Sequence, residues 1–333
     1  MATIKEVSDL AGVSQATVSR VMNGNNKVSD VNRERVMAAM DKLGYQPNSF
    51  AQALATNRSY SVGIVVGTLS GPFFGPMMHS IESVLRKEGQ HLIATSGHDN
   101  IEQEREAIRF LNSRRVDAIL LVVQAMSDDE LIELCSRNSN VFVLNRYVPE
   151  LAHRCIYLNN ELGGYLATKH LIDLGHTRIA SITGPLVHFD ARERLQGYRN
   201  ALSEAGLEYD PQLIVEGLYQ EDGGTKAAAK LFQRGIDFTG VVCGNDNIAI
   251  SVYDILSRDN ESPAERISVV GYDDMFYSRY LRPKLTTIRF PIEEMGTIAA
   301  NMVLQNLADK NLVNGVQLEP SLIVRESTAP PVS

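Results

Sequence analysis

The chain has 333 residues, 44% hydrophobic and 22% charged, enough to bury a core, and at roughly 100–200 residues per domain its length predicts two or three domains. A formal net charge of −8 excludes a globally basic nucleic-acid binder. Yet residues 1–60 carry seven Lys and Arg against five Asp and Glu, so a mildly basic head precedes an acidic body and can approach a polyanion first. Cys135, Cys155 and Cys243 are odd in number, far apart and in no CxxC pair. That excludes a disulfide scaffold or a cysteine zinc site and fits a reducing compartment. MATIKEVSDLAGVS has no apolar signal core, and no apolar run reaches membrane-spanning length. The expectation is a soluble cytoplasmic protein.

Residues 1–45 read as three short helices. Thr3 caps the first, whose apolar positions are Ile4, Val7, Leu10 and Ala11, and Gly12 ends it. Ser14 caps the second, with Ala16, Val18, Val21 and Met22 as apolar positions, and the loop NGNNKV follows. Ser29 opens the third, whose expected buried stripe is Val31, Val36, Ala39, Met40 and Leu43 before Gly44. In residues 46–60, Pro47 restarts the chain and Asn48 or Ser49 caps a two-turn helix, FAQALA. So short a helix is marginal alone in water, which marks a linker that orders when something binds it.

From residue 61 apolar strands alternate with helices. VGIVVG (62–67), HLIATS (91–96), DAILLVV (117–123), VFVLN (141–145), CIYLN (155–159), RIASITG (178–184), VVCGN (241–245), ISVVGYDD (267–274) and LTTIRFP (285–291) read as strands. Helices are expected from Pro76 to Lys87, Ile101 to Ser113, Asp128 to Ser136, Leu162 to Leu174, Arg192 to Ala205 and Ile248 to Arg258. Apolar strands feeding helices predict parallel sheets covered on both faces. So many strands predict two doubly wound α/β lobes, with a site at the strand carboxyl ends.

The segment 4–22, with AGVS as its turn, has the dimensions of a helix-turn-helix. In that geometry Gln15 and Ala16 face base edges, Ser14, Thr17 and Ser19 suit phosphates, and Arg20 reaches a guanine or a phosphate. An ordinary three-helix bundle would show the same pattern. His79, His91, His98, His153, His170, His176 and His188 lack metal spacing, and His176 is expected to cap a helix-to-strand turn. No P-loop or GxGxxG is present, so no cofactor and no metal is expected.

TIKEVSDLAGVSQATVSRVMNG, LGYQPNSFAQALA and VGIVVGTLSGPFF resemble the lactose/galactose repressor family. The likeness continues through LNRYV, GYLATKHLIDLGHTRIASITG, ARERLQGYRNAL, GNDNIAI, ISVVGYDD and LTTIRFPIEEMG, and MATIKEV, AHRCIYL and SRYLRPKLTTIRFPI place it nearest the galactose branch. The resemblance implies a helix-turn-helix head over 1–45, a hinge helix and linker over 46–60, and a periplasmic-binding-protein-like body over 61–333. Its lobe 1 would span about 61–158 plus 290–318, and its lobe 2 about 159–289 plus 319–329. It implies a homodimer on a palindromic double-stranded operator, released by a small sugar, with D-galactose or a related hexose the first candidate.

Leu54 matches the hinge leucine that wedges into the minor groove. Tyr45, Asn48 and Ala51 match further operator contacts, and Thr3, Asn23 and Ser29 complete the expected DNA-binding set. The expected effector set is Phe73, Phe74, Asn145, Arg146, Arg194, Tyr219, Asn245, Asp273 and Phe290. Amide, guanidinium and carboxylate groups pair with sugar hydroxyls, and an aromatic ring covers an apolar sugar face. Asp273 and Asp274 point to opposite faces of a strand, so they cannot act as acid and base on one bond, and Asp274 is expected to be structural. The chain departs from the galactose pattern at Thr68 and Gly71, which stand where Asp is usual, and at Phe290, where many sugar-binding relatives carry Gln. A sugar-transport binding protein would share the body but not need residues 1–57. A doubly wound enzyme would need a phosphate loop or an activated nucleophile, and neither is seen.

Overall fold

The computed structural model describes residues 2–22, 28–45, 58–258, 262–308 and 314–332. The chain divides into two compact units, Met1–Tyr60 and Ser61–Ser333. The head holds α1 (Ile4–Ala11), α2 (Gln15–Met22) and α3 (Asp30–Leu43). The Thr3 hydroxyl accepts from the Glu6 amide while the Glu6 carboxylate takes the Thr3 amide, so two orphan donors of the first turn are satisfied. Gly12 closes α1 at φ +64°, a left-handed conformation that costs other residues strain. Val7, Ala11, Val18, Val21, Val28, Val36 and Ala39 form the core.

Two expected core positions are corrected. Val31 is 66% exposed and Leu10 45% exposed. The buried side of α3 runs through Val36 and Ala39 with Met40 and Leu43 against it, and Val31 lies off that stripe, since helical neighbours on one face are three or four residues apart. Ser29 stands at the N-cap of α3 without a side-chain cap bond. The expected hinge helix falls on residues outside those described.

The first lobe runs β1 (Ser61–Val66), α4 (Phe74–Lys87), β2 (His91–Ser96), α5 (Ile101–Ser113), β3 (Ala118–Leu121), α6 (Asp128–Arg137), β4 (Val141–Leu144) and β5 (Cys155–Leu158). The second runs α7 (Asn160–Asp173), β6 (Ile179–Thr183), α8 (Phe189–Glu204), β7 (Ile214–Glu216), α9 (Glu221–Gln233), β8 (Gly240–Cys243), α10 (Asp246–Arg258), β9 (Ser268–Asp273) and β10 (Thr286–Arg289). The chain then returns to the first lobe with α11 (Ile292–Ala308) and β11 (Val316–Leu318), and ends in the second with β12 (Ser321–Ile323). The sheet orders are β11-β5-β4-β3-β1-β2 and β12-β10-β9-β8-β6-β7. All pairs are parallel except β10 with β12. Each central strand is apolar because helices cover both of its faces. One cluster, including Val62, Phe142, Tyr272 and Ile288, draws on both lobes.

Helix α8 starts at Phe189, three residues before the expected Arg192. Asp190 therefore lies in its first turn, one helical turn from Arg194. Helices α7 and α8 meet backbone to backbone: a Cβ on Gly164 would lie 2.0 Å from the Arg194 carbonyl oxygen, and one on Gly197 would lie 1.9 Å from the Glu161 carbonyl oxygen. His176 directs its ring away from the helix-to-strand turn that it was expected to cap. It is buried and its ring bonds the hydroxyls of Thr239 and Ser268 and the Ala329 carbonyl, tying the C-terminal segment to the second lobe. Burial lowers its pKa, against the pull of the Ala329 carbonyl.

Gly197→Ala is expected to push α7 and α8 apart and lower stability by about 1–3 kcal/mol, the usual range for overpacking. Gly75, in α4, has nothing within 4 Å of an added Cβ, so Gly75→Ala is expected to leave stability unchanged or raise it by less than about 1 kcal/mol. Urea denaturation of the two variants measures the contrast.

Candidate functional site

A cavity of about 550 Å³ lies between the two lobes. Its walls come from segments just past strand ends: Gly67, Thr68 and Ser70–Phe74 after β1, His98 and Asp99 after β2, Val122 and Gln124 after β3, and Asn145 after β4. The second lobe adds His188, Asp190 and Arg194 after β6, Tyr219 and Gln220 after β7, Asn245 and Asn247 after β8, and Asp273 and Met275 at and beyond the end of β9. Open parallel sheets bind ligands at this edge because their loops and helix N-termini converge there.

Arg194 is the hub of the second-lobe wall. Its Nε donates to Asn160 Oδ1 at 3.0 Å and its Nη1 to the Gly244 carbonyl at 2.6 Å. The guanidinium stacks 3.7 Å from the centroid of Tyr272 and faces Asp190 at 3.4 Å and Asp273 at 3.8 Å. Tyr219 donates its hydroxyl to Asp190 Oδ2 at 2.8 Å. The Asn245 amide nitrogen donates to the Tyr219 carbonyl, while its oxygen accepts from the Ile248 amide at the start of α10. Three buried oxygens of the wall, Asn145 Oδ1, Asp190 Oδ1 and Asp273 Oδ1, lack a hydrogen-bond donor. Burial pushes the Asp273 carboxyl well above the ordinary carboxylate range, against the pull of the Arg194 guanidinium. Desolvation between the cleft walls raises Asp99 in the same direction.

Phe73 and Phe74 both line the cavity, edge to face at 4.9 Å. Two expected effector residues are placed elsewhere. Phe290 is buried, packs edge to face on Phe73 at 5.4 Å and backs the aromatic wall. Arg146 is also buried. It donates to the Met126 carbonyl at 2.7 Å and pairs with Asp128 at 2.6 Å, bracing the loop after β3. Glu104 holds that loop from the other side, accepting the amides of Gln124, Ala125 and Met126 at 2.8, 3.0 and 2.9 Å. Asp274 is structural as expected, clamped between Arg289 and Arg325.

The structure adds His98, Asp99, Gln124, His188, Asp190 and Asn247 to the wall. Their signal in the sequence was position after a strand end, and for Asp190 its i,i+4 spacing to Arg194. In the head, Gln15, Ala16 and Arg20 are exposed along one side of α2 while Val18 and Val21 are buried. Ser14 accepts the Thr17 amide at 3.1 Å, and Thr17 and Ser19 are half-buried. Thr3 and Ser29 are exposed, and Tyr45 packs on the head core. Asn23, Asn48, Ala51 and Leu54 lie outside the described residues. No described helix is long and apolar enough to cross a membrane.

Two family models match the chain: bacterial regulatory proteins of the lacI family over residues 3–48, and a periplasmic binding protein-like domain over residues 168–328. The HTH-type transcriptional regulator GalR of Escherichia coli K12 is 40% identical over 333 residues, 99% of this chain and 97% of the relative. The ribose operon repressor of Haemophilus influenzae is 37% identical over 329 residues, 98% of each chain. The solved lac repressor dimer bound to operator and the anti-inducer ONPF matches with a TM-score of 0.90 and 28% identity, over 98% of this chain and 99% of that one.

Glu104→Ala would strand three backbone amides behind the cavity wall. It is expected to lower stability by about 3 kcal/mol, since hydrogen bonds to a charged group carry about 1.5–3 kcal/mol and unmet buried donors add to the loss. Thermal unfolding measures this.

Proposed function

The chain belongs to the LacI family of bacterial transcriptional regulators, the lactose/galactose repressors, and on that premise we propose that its effector is D-galactose or a closely related hexose. The protein is a DNA-binding repressor regulated by a sugar, and not an enzyme. In our reading it works in the cytoplasm as a homodimer on a palindromic operator, with 1–45 as reading head, 46–60 as hinge and 61–333 as sensor.

The observation that carries the effector class is the set of three buried oxygens without donors in a cleft that also presents two phenyl rings. Hexose hydroxyls supply donors, and the apolar face of a pyranose packs on the rings. Arg194, Asp190, Asp273, Asn145 and Asn245 are assigned to the hydroxyls, Phe73 and Phe74 to the ring face, and Tyr219 to orienting Asp190. Arg146 and Phe290 are assigned to bracing the wall. The likeness to GalR favours galactose among hexoses.

In the head, Gln15 and Ala16 are assigned to base edges, and Ser14, Thr17, Ser19 and Arg20 to the backbone. Leu54 is assigned to the minor-groove wedge, with Thr3, Asn23, Ser29, Tyr45, Asn48 and Ala51 as flanking contacts. Sugar bridging both lobes must bind the arrangement that disfavours operator more tightly than the one that permits it, because equal affinity shifts nothing.

Gel shifts with an operator from neighbouring DNA test this. D-galactose is expected to weaken operator binding about 5–150-fold, the usual range of allosteric coupling; no response to any hexose overturns the effector class. Asp273→Ala removes a buried carboxyl acceptor and is expected to weaken galactose binding by about 2–5 kcal/mol, giving a repressor that is not released. Unchanged sugar affinity in that variant removes Asp273 from the site.

Arg20→Ala and Leu54→Ala are expected to weaken operator binding by different physics. The first lowers the salt slope by about one if its target is a phosphate. The second leaves the slope but reduces DNA bending, and equal bending by wild type and variant contradicts the wedge.

A further inference from the structure

The cavity wall carries three carboxyl groups, Asp99, Asp190 and Asp273, against one guanidinium, Arg194, with His98, His188 and Tyr219 as its other titratable groups. The side chains of Asp190 and Asp273 are only 5% and 8% exposed. Asp190 engages Tyr219 and Arg194 through Oδ2 and leaves Oδ1 without a donor. Asp273 Oδ1 stands 3.8 Å from Arg194, beyond hydrogen-bond reach, and also lacks a donor. Arg194 spends two of its donors on Asn160 and Gly244, so it does not saturate the acidic groups around it.

Asp99 comes from the other lobe. It follows His98, and both have φ +51°, a left-handed conformation that costs a non-glycine residue on the order of 1–3 kcal/mol and persists where surrounding structure enforces it. The Asp99 carboxylate lies over Gly67, where an added Cβ would meet its Oδ1 at 2.9 Å. It faces the cleft, with His188 and Asp190 as its neighbours from the second lobe. Asp99 over Gly67, and opposite it two buried carboxyls that each leave an oxygen without a donor, place three acidic groups around the cleft with one guanidinium among them. Burial works against the ionised form of Asp273 and Asp99, and a cationic group on a ligand would favour that form by pairing with it.

We propose that this cleft takes an amino sugar, a hexose bearing a protonated amine, in preference to the parent neutral hexose, with Asp99 as the carboxylate that selects it. The proposal rests on the reading of the cleft as a sugar site. Hydroxyls meet the oxygens of Asn145, Asp190 and Asp273, and the ammonium meets Asp99 across the cleft. The same charge rejects sugar acids and sugar phosphates, which would place an anion among three carboxylates.

Calorimetry on the full chain tests this with galactose, galactosamine, N-acetylgalactosamine and galacturonate, and with the matching gluco series. The amine is expected to bind roughly tenfold or more tightly than its parent hexose, as expected for a close charge pair in a partly desolvated site. The N-acetyl sugar, with a substituent at the same carbon but no charge, is expected to lose that gain, and the uronate to bind more weakly than the hexose. Asn tolerates the left-handed backbone, so Asp99→Asn is expected to fold and to shrink the ratio of amine to hexose affinity towards one. A wild-type protein that binds the hexose as tightly as the amine overturns the proposal, as does an unchanged ratio in Asp99→Asn. Binding of hexoses without amine preference leaves the sugar reading standing, whereas failure of every sugar to bind overturns both.

Discussion

The buried guanidinium of Arg194 is the constraint around which the second lobe is arranged. Removing such a charge from water costs several kcal/mol unless partners surround it. Here Asn160 comes from the first turn of α7, the Gly244 carbonyl from the end of β8, Asp190 from its own helix, and Asp273 and the Tyr272 ring from the end of β9. All must converge within a few ångströms. The backbone approach of α7 and α8 at Gly164 and Gly197 makes that convergence sterically available. Packing, hydrogen bonding and the chemistry of the cleft are therefore one problem with one solution.

The first lobe solves the complementary problem with fewer charges. Glu104 and Arg146 hold the loop after β3 by its amides and a carbonyl, and Phe290 stiffens the aromatic wall behind Phe73. Both walls are braced by contacts within the protein, and Asn145, Asp190 and Asp273 each present an oxygen without a donor. A ligand that supplies donors to Asn145 on one lobe and to Asp190 and Asp273 on the other binds best where the two walls stand at a set separation. That dependence on separation is the differential affinity a two-state switch requires.

Much of this was legible in the sequence. Apolar runs feeding helices announced the two sheets, and Asn145, Asn245 and Asp273 were identifiable because polar residues at strand carboxyl ends face the cleft, whereas Arg194, inside α8, was identifiable from the resemblance to the family. What was not legible is the direction each side chain takes beyond the strand. Asn145 has φ +57°, and that turn leaves Asn145 in the wall and sends the adjacent Arg146 back onto the loop. Phe290 looked like a ligand position and is a support, because aromatic rings satisfy both roles equally well. His98, Asp99 and His188 carried no motif, since their place in the wall depends on a pair of left-handed residues and on a helix start that periodicity locates only to within a turn. In α3 the apolar pattern admitted Val31, and only packing in the head shows which side is buried.

Coupling between two binding equilibria is reciprocal, so the cleft and the operator can be measured as two ends of one equilibrium. The direct measurement is the affinity of D-galactose for the full chain, free and saturated with operator DNA, by calorimetry. The account requires operator to weaken sugar binding by the same factor by which sugar weakens operator binding. Equal sugar affinity in the free and operator-bound protein would contradict it.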